Sequence, residues 1–164
     1  MPGKKSQIII NTSPWIALTL CNQLDILPHM YSIIYMPEAV KREILAGGKL
    51  SVGAKELRAK RWVKIAKIKD SNKITLLHEL DQGEAEVIIL AKEKGIDTVL
   101  IDEKIARMQA KILGLNVIGT IGLLLKAKNK GIITSIKPSI EQMMQNGIWI
   151  REEIFKGILK SAKE

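Results

Sequence analysis

Four side chains that carry oxygen donors follow or adjoin predicted strands, and their types suit a hard divalent cation. Asn11 ends the apolar run IIIN, and Asp102 ends the run TVLID. Glu43 lies on the helix predicted after IIYMP, and Glu84 opens the helix that leads into TVLI. Because the carboxyl ends of parallel strands meet at one edge of a sheet, we expect the three carboxylates and the amide to converge. An all-oxygen group of this kind favours Mg²⁺ or Mn²⁺.

Each of these residues also has a purely structural interpretation. Asp81 and Glu84 have the spacing of a capping box, which closes a helix N-terminus. Asp102 fits the N-cap of the following helix, Asn11 fits an Asx turn, and Glu43 fits a solvated helix position. A cap needs no particular edge of the sheet, whereas a metal site needs all four residues on one edge, so their joint placement favours the site.

Apolar runs that alternate with helical patterns predict an α/β fold with a mainly parallel sheet of about five strands. The predicted strands are 8–10, 33–36, 62–68, 99–101 and 116–118, with 62–68 as a half-exposed edge strand. The predicted helices are 14–21, 37–45, 52–60, 82–94, 103–113 and 121–130, with Ser13 as the N-cap and Pro14 as the first residue of the first helix. Residues 135–164 are predicted to form two more helices, broken near Asn146 and Gly147.

Composition limits the class of protein. A chain of 164 residues with 46% hydrophobic content fits one domain, and a formal charge of +9 favours nucleic acid as the partner. The single cysteine, Cys21, excludes an intrachain disulfide and fits a buried position in a cytoplasmic protein. No nucleophile pairs with His29 or His78, so triad hydrolysis is not indicated. No run approaches the roughly 18 apolar residues of a membrane span, and we expect no membrane partner.

A basic helix face follows the last of the candidate acids. Lys104, Arg107 and Lys111 are three and four residues apart, so they share one face directly after Asp102. We predict that this face binds the phosphates of nucleic acid, with Arg107 best suited because a guanidinium can fork onto phosphate. The alternative is that the lysines only keep the surface soluble. Thr120, in the turn GTIG, is a further candidate for contact with the site.

Four segments of the chain, taken in order, resemble the pattern of the PIN-domain family. They are IIINTSPWIAL, YMPEAVKREIL, LDQGEAEVIILAKEKGIDTVLIDEKIAR and LGLNVIGTIGLLLKAKNKGII. The resemblance covers about residues 7–133, and residues 134–164 are similar to the helical extension of one branch of the family. Members of that branch are often described only as predicted nucleic-acid-binding proteins, and some are encoded like toxins beside an antitoxin.

The resemblance implies a three-layer α/β/α sandwich in a single domain, residues 1–164, and a ribonuclease site that depends on Mg²⁺ or Mn²⁺. The family's four acidic positions, which bind the metal, fall on Asn11, Glu43, Glu84 and Asp102, and its hydroxyl position falls on Ser13. RNA is the implied substrate, and an antitoxin protein is an implied partner. We also expect a homodimer, because the apolar faces of the two tail helices need to be buried.

Asn11 departs from the family pattern. An amide keeps a carbonyl oxygen as a ligand but removes one negative charge, so we expect weaker cation binding and slow or conditional cleavage of RNA. The alternative function is that of a catalytically inactive module that binds nucleic acid or protein, and Asn11 is the feature that favours it. A receiver-like phosphotransferase is disfavoured, because no Asp nucleophile follows the first strand.

Overall fold

The computed structural model describes residues 6–47 and 51–164, and a five-stranded parallel sheet forms its centre. The strands are β1 (Gln7–Ile10), β2 (Ile33–Pro37), β3 (Val63–Ala66), β4 (Thr98–Leu100) and β5 (Asn116–Ile118). Their order is β3-β2-β1-β4-β5, and every neighbouring pair is parallel. Helices cover both sides of the sheet, so the predicted three-layer α/β/α sandwich is confirmed. Residues 1–5 and 48–50 of the predicted domain lie outside the described residues.

Helices connect the strands and extend the chain beyond the sheet. They are α1 (Thr12–Leu20), α2 (Ile26–Met30), α3 (Glu38–Leu45), α4 (Ala54–Ala59), α5 (Gln82–Lys94), α6 (Lys104–Ile112), α7 (Thr120–Asn129), α8 (Lys137–Gln145) and α9 (Glu152–Ser161), with a 3₁₀-helix at Ser71–Leu77. The predicted helices are all present: 82–94 has the predicted ends, and the other helices have shifted ends. The sequence prediction lacks α2 and the 3₁₀-helix, because segments of 5 and 7 residues are too short to show a helical period.

The centre of the core is formed by β1 and α5. Ile8, Ile9 and Ile10 are each 0% exposed, as a strand must be when helices cover both faces of a parallel sheet. α5 contacts β1, β2 and β4, and residues 85–91 within it are all buried. Cys21 is also buried, as predicted, and burial raises the pKa of its thiol to about 11, so the thiol is protonated at neutral pH.

The direction in which the chain adds strands reverses beside β1. The chain passes from β1 to β2 and β3 on one side, and then crosses with α5 to β4 and β5 on the other side. In open parallel sheets, such a switch point leaves a crevice at the carboxyl ends of the strands, where ligands bind. Asn11 directly follows β1 and Asp102 lies just after β4, so the two residues flank this crevice.

The first helix begins earlier than the sequence predicts. α1 starts at Thr12 and Asn11 is its N-cap residue, so the predicted cap at Ser13 and the predicted first position of Pro14 are wrong. Pro14 is the third residue of the helix, where a missing N–H costs nothing because the first four N–H groups have no partner within a helix. The carbonyl of Asn11 accepts a hydrogen bond from Trp15 N–H at 3.4 Å, so β1 passes into α1 without a loop.

The C-terminal helices pack directly on the rest of the fold. α8 contacts α1, and Ile136, Ile140 and Met143 are buried there. The chain turns at Gly147, where φ is +101°, and the predicted break between the two tail helices is confirmed. Trp149, by contrast, is 80% exposed. None of the helices within residues 6–47 and 51–164 combines the length and apolar character that crossing a membrane requires.

Gly53 tests how tightly Trp15 is packed. Gly53 has φ of +86°, its carbonyl accepts a hydrogen bond from Trp15 Nε1 at 3.0 Å, and a Cβ on it would lie 2.7 Å from Trp15 Cδ1. Gly95 has φ of +64°, but a Cβ there would meet nothing within 4 Å. We expect Gly95→Ala to lower the free energy of unfolding by about 1 kcal/mol, from the left-handed backbone alone. Gly53→Ala should lower it by about 3 kcal/mol, because overpacking is added.

Urea denaturation of the two variants measures this difference. Equal losses in both would contradict the tight contact between Gly53 and the Trp15 ring.

Candidate functional site

Asn11 presents a buried oxygen that has no partner. The residue is 3% exposed, and its backbone N–H donates to the Leu100 carbonyl at 3.1 Å, which holds it against the end of β4. Its side chain makes no capping hydrogen bond, and its Oδ1 is buried without a hydrogen-bond partner. Because buried polar atoms are nearly always paired, this oxygen is available to a ligand.

Glu43 lies between two neighbouring helices, α1 and α5. Its Oε2 accepts a hydrogen bond from Thr12 Oγ1 at 2.5 Å, and a Cβ on Gly83 would lie 2.4 Å from its Oε1. The glycine at position 83 therefore leaves the space that the Glu43 carboxylate fills. The start of α3 is fixed in turn by the buried carboxylate of Glu86 on α5, which accepts from Ala39 N–H at 3.3 Å.

Glu84 forms the capping box and also belongs to an acidic cluster. Its N–H donates to Asp81 Oδ1 at 2.8 Å, and its Oε2 accepts from Asp81 N–H at 3.2 Å, so the capping interpretation of this pair is confirmed. Burial raises the pKa of Glu84, and the negative charges of Asp81, Glu103 and Glu43 raise it further. We call these four residues the acidic cluster.

Glu103 is the member of this cluster that sequence patterns did not reveal. It is the N-cap of α6, and its Oε2 accepts from Ala106 N–H at 2.9 Å. The alternative role of Asp102 as that N-cap is therefore wrong. The signal in the sequence was the pair Asp102-Glu103, in which either carboxylate could cap the helix, and the glutamate does so because Asp102 is held elsewhere.

Asp102 is held by the first residue of α7. Its Oδ1 accepts from Thr120 N–H at 2.7 Å, and its Oδ2 accepts from Thr120 Oγ1 at 2.5 Å. Arg107 lies beside it: Nη1 donates to the Ile101 carbonyl at 2.8 Å, and a Cβ on Gly119 would come within 2.8 Å of that nitrogen and 3.0 Å of Asp102 Oδ1. The structure thus brings both Thr120 and Arg107 to Asp102.

Two clefts meet at Asp102. A basic cleft of about 470 Å³ is lined by Asp102, Lys104, Arg107, Met108, Lys111 and Ile112. An apolar cleft of about 450 Å³ has a rim of Ser13, Asp102 and Thr120 and walls of Ile16, Ala17, Ile121, Met143, Ile148 and Ile150. The three predicted phosphate-binding residues therefore share one cleft, whereas the predicted hydroxyl of Ser13 borders the other. The hydroxyl that contacts a carboxylate of the acidic cluster is instead that of Thr12, which the sequence analysis did not select.

The donors fit a hard cation by type, but they are not gathered into one ligand group. Within the described residues, no three His, Cys, Asp or Glu side chains lie together in a way that could hold a metal ion. The expected convergence of Glu43, Glu84 and Asp102 is therefore not found in this structure. Each carboxylate is held at its own place by a different hydrogen-bond donor: Thr12 for Glu43, the Asp81 backbone for Glu84, and Thr120 for Asp102. The buried Asn11 oxygen has no hydrogen-bond partner and is open to a cation.

A comparison with protein families decides the membership of the chain. A family model described as a PIN domain matches residues 7–164. The chain belongs to the PIN-domain family. A PIN domain has a nuclease-type fold that suggests nucleic-acid binding, and PIN domains generally use divalent metals.

Comparisons with individual proteins add little to the family match. No curated protein matches the chain significantly. A solved structure described as a domain of a functionally unknown protein from Methanocaldococcus jannaschii DSM 2661 is similar to it, with 18% sequence identity and a TM-score of 0.46. That similarity covers 70% of this chain and 90% of the other.

The acidic cluster should destabilise the fold at neutral pH. Since the pKa of Glu84 is higher in the folded protein than its ordinary value of 4.5, folded protein binds this proton more tightly than unfolded protein does. Stability is therefore lost as pH rises from 4.5 through the raised pKa. We expect Glu84→Gln, which keeps an oxygen for Asp81 N–H, to raise the free energy of unfolding at neutral pH. The gain should shrink as pH falls toward 4.5.

Denaturant titrations across this pH range provide the measurement, with Glu79→Gln at an exposed position outside the cluster as the control. A Glu84→Gln protein that is less stable than wild type at neutral pH would show that the cap outweighs the charge repulsion.

Proposed function

We propose that this PIN domain is a ribonuclease that depends on Mg²⁺ or Mn²⁺, and that its activity is weak or conditional because Asn11 stands at the first acidic position. The observation that carries the proposal is the buried, unpartnered Oδ1 of Asn11 at the switch point. Leaving such an atom unpaired costs about 1–3 kcal/mol, a cost that a bound cation would remove. The acids Glu43, Glu84 and Asp102 lie on the elements around it.

Each group at the site has a role in this proposal. Asn11, Glu43, Glu84 and Asp102 would hold the cation, which supplies Lewis-acid chemistry by activating water and neutralising charge on the scissile phosphate. Burial and the charges of Asp81, Glu103 and Glu43 raise the pKa of Glu84, and a bound cation would offset that charge repulsion. Thr120 orients Asp102 through two hydrogen bonds.

Phosphate binding falls to the basic cleft. Lys104, Arg107 and Lys111 share this cleft with Asp102, so a phosphate bound there lies next to one of the proposed metal ligands. The Arg107 guanidinium is already fixed by the Ile101 carbonyl, which leaves its other nitrogens to donate to phosphate.

A second candidate function is a catalytically inactive module that binds RNA. The observation that favours it is that each candidate carboxylate is engaged by an internal donor and that no three of these side chains form a ligand group among the described residues. Binding through the basic cleft needs no cation, so this function would survive loss of the metal site.

We also propose that the protein is a toxin that an antitoxin neutralises in the cytoplasm. The basis is the resemblance of the C-terminal extension to the branch of the family that includes toxins. A protein contact is supported by the exposed side chains of Trp149 and Ile154, which are 80% and 47% exposed. A homodimer through the same surface is part of the proposal, because a stable contact would bury these apolar groups.

Restoring the acid at position 11 tests the metal site. We expect Asn11→Asp to bind Mn²⁺ at least about tenfold more tightly than wild type by calorimetry, because it adds a charge in direct contact with the ion. Cleavage of a labelled single-stranded RNA should rise with it. In a chelator the same variant should unfold more easily than wild type, since a buried carboxylate is then unpaired, and Mn²⁺ should reverse that loss.

The matched control is Asn116→Asp, which makes the same change on the exposed strand β5, at the start of the strand and away from its carboxyl end. Equal effects of the two variants would contradict a site at Asn11. Metal-dependent cleavage that persists unchanged in Asp102→Ala would do so as well, and binding of RNA without any cleavage in Asn11→Asp would favour the inactive module.

Gly83 offers a way to move Glu43 without changing any charge. Gly83→Ala places a methyl group where the Glu43 carboxylate now lies, so we expect that carboxylate to shift and cleavage to fall by about 10-fold to 100-fold. The free energy of unfolding should change by less than about 1 kcal/mol, because alanine favours the helix. Gly157→Ala, on α9 with nothing within 4 Å of the new methyl, is the control and should leave cleavage unchanged. Full activity in Gly83→Ala would show that Glu43 does not belong to the site.

A further inference from the structure

We propose that the apolar cleft receives an unpaired base of a single-stranded RNA whose phosphates lie in the basic cleft. This inference rests on the proposed ribonuclease function and assigns the apolar cleft to the same site as the part that holds a base.

The walls of the apolar cleft come from the core and from the C-terminal extension together. Ile16 lies on α1, Ile121 on α7 and Met143 on α8, while Ile148 and Ile150 lie in the segment between α8 and α9. Ser13, Asp102 and Thr120 add polar groups to the lining, and Asp102 and Thr120 are hydrogen-bonded to each other. Apolar walls with a few polar groups at one end are typical of sites that bind a planar organic group and fix its orientation.

The position of this cleft relative to the basic cleft indicates what fills it. Asp102 lines both clefts, so they adjoin at this residue. In a nucleotide, the ribose joins an anionic phosphate to a base that has an apolar face. The basic cleft provides a surface for the phosphate, and the apolar cleft provides one for the base. An apolar cleft alone would accept either a base or an apolar protein side chain. Here the adjoining cleft carries Lys104, Arg107 and Lys111, and their positive charges favour a ligand that is negatively charged.

The net charge of the chain argues against a second copy as the occupant. The formal charge is +9, and a second copy seated on the apolar cleft would bring another positively charged molecule beside the basic cleft. Like charges across a contact cost free energy, while an RNA strand gains from the same field. Charge complementarity therefore favours the nucleic acid.

A base that enters this cleft cannot remain paired and stacked in a duplex. Recognition of splayed-out bases is the usual way in which proteins distinguish single-stranded from double-stranded RNA. The test of the cleft therefore uses single-stranded probes.

The test compares two probes that carry the same charge. Fluorescence anisotropy in a chelator measures the binding of labelled hexauridylate and of a matching oligomer with abasic riboses. We expect wild type to bind hexauridylate about tenfold more tightly, because contacts to the base faces add to the phosphate contacts. Ile150→Gln should reduce this preference to about twofold or less, while binding of the abasic oligomer and its dependence on salt stay unchanged.

Ile154→Gln is the matched control, because Ile154 is an exposed isoleucine on α9 that does not line the cleft, and it should keep the tenfold preference. Ile16→Gln, on a different element of the same cleft, repeats the test if thermal unfolding shows that Ile150→Gln is not folded. Light scattering on each variant reports the oligomeric state.

Three results would overturn the inference: equal binding of the two oligomers by wild type, equal effects of Ile150→Gln and Ile154→Gln, or a wild-type dimer that Ile150→Gln converts to a monomer. Because binding is measured without metal, the experiment tests the base preference independently of the nuclease activity. A base preference without cleavage in Mn²⁺ contradicts only the proposed ribonuclease, and cleavage without a base preference contradicts only the role of the cleft.

Discussion

β1 is hydrogen-bonded to β2 on one side and to β4 on the other, although these two neighbours are far apart in the chain. This double pairing buries three isoleucines completely and puts the reversal of strand order between β1 and β4. The crevice that results is the reason that Asn11, Asp102 and Thr120 can be neighbours at all. The residues around it also depend on α5, which contacts three strands and supplies Gly83 and Glu84 at its first turn.

The charges of this protein are separated in a way that suits a site for a polyanion. Acidic side chains cluster at the starts of α5 and α6, where Glu84 and Glu103 also cap helices. Lys104, Arg107 and Lys111 line a cleft with Asp102, and the whole chain carries a charge of +9. Electrostatic attraction brings the polyanion near the surface, while repulsion among the acids is relieved only by a proton or a cation. Glu84 thus serves the fold as a cap and is also one of the residues that we propose as metal ligands.

The fold could be predicted from the sequence because strand–helix alternation is a strong local signal. The runs around Ile8 and Val99 identify their strands, and the spacing of Asp81 and Glu84 identifies the capping box. The partners of the individual carboxylates could not be predicted in this way. Whether Asp102 or Glu103 caps α6 depends on Thr120, which is distant in sequence, and the contact of Thr12 with Glu43 depends on how α1 packs on α3. Tertiary packing determines which donor each carboxylate accepts from, and a local sequence pattern contains no information about these partners.

The C-terminal extension supplies Met143, Ile148 and Ile150 to one wall of the apolar cleft, while the candidate acids all lie earlier in the chain. Substitutions in this wall can therefore change the shape of the cleft and leave the sheet edge as it is. In the function that we propose, the residues that select the base are separate from those that hold the metal, so one set can be altered while the other is kept. A single scaffold of this kind can give rise to a set of proteins with common chemistry and different targets.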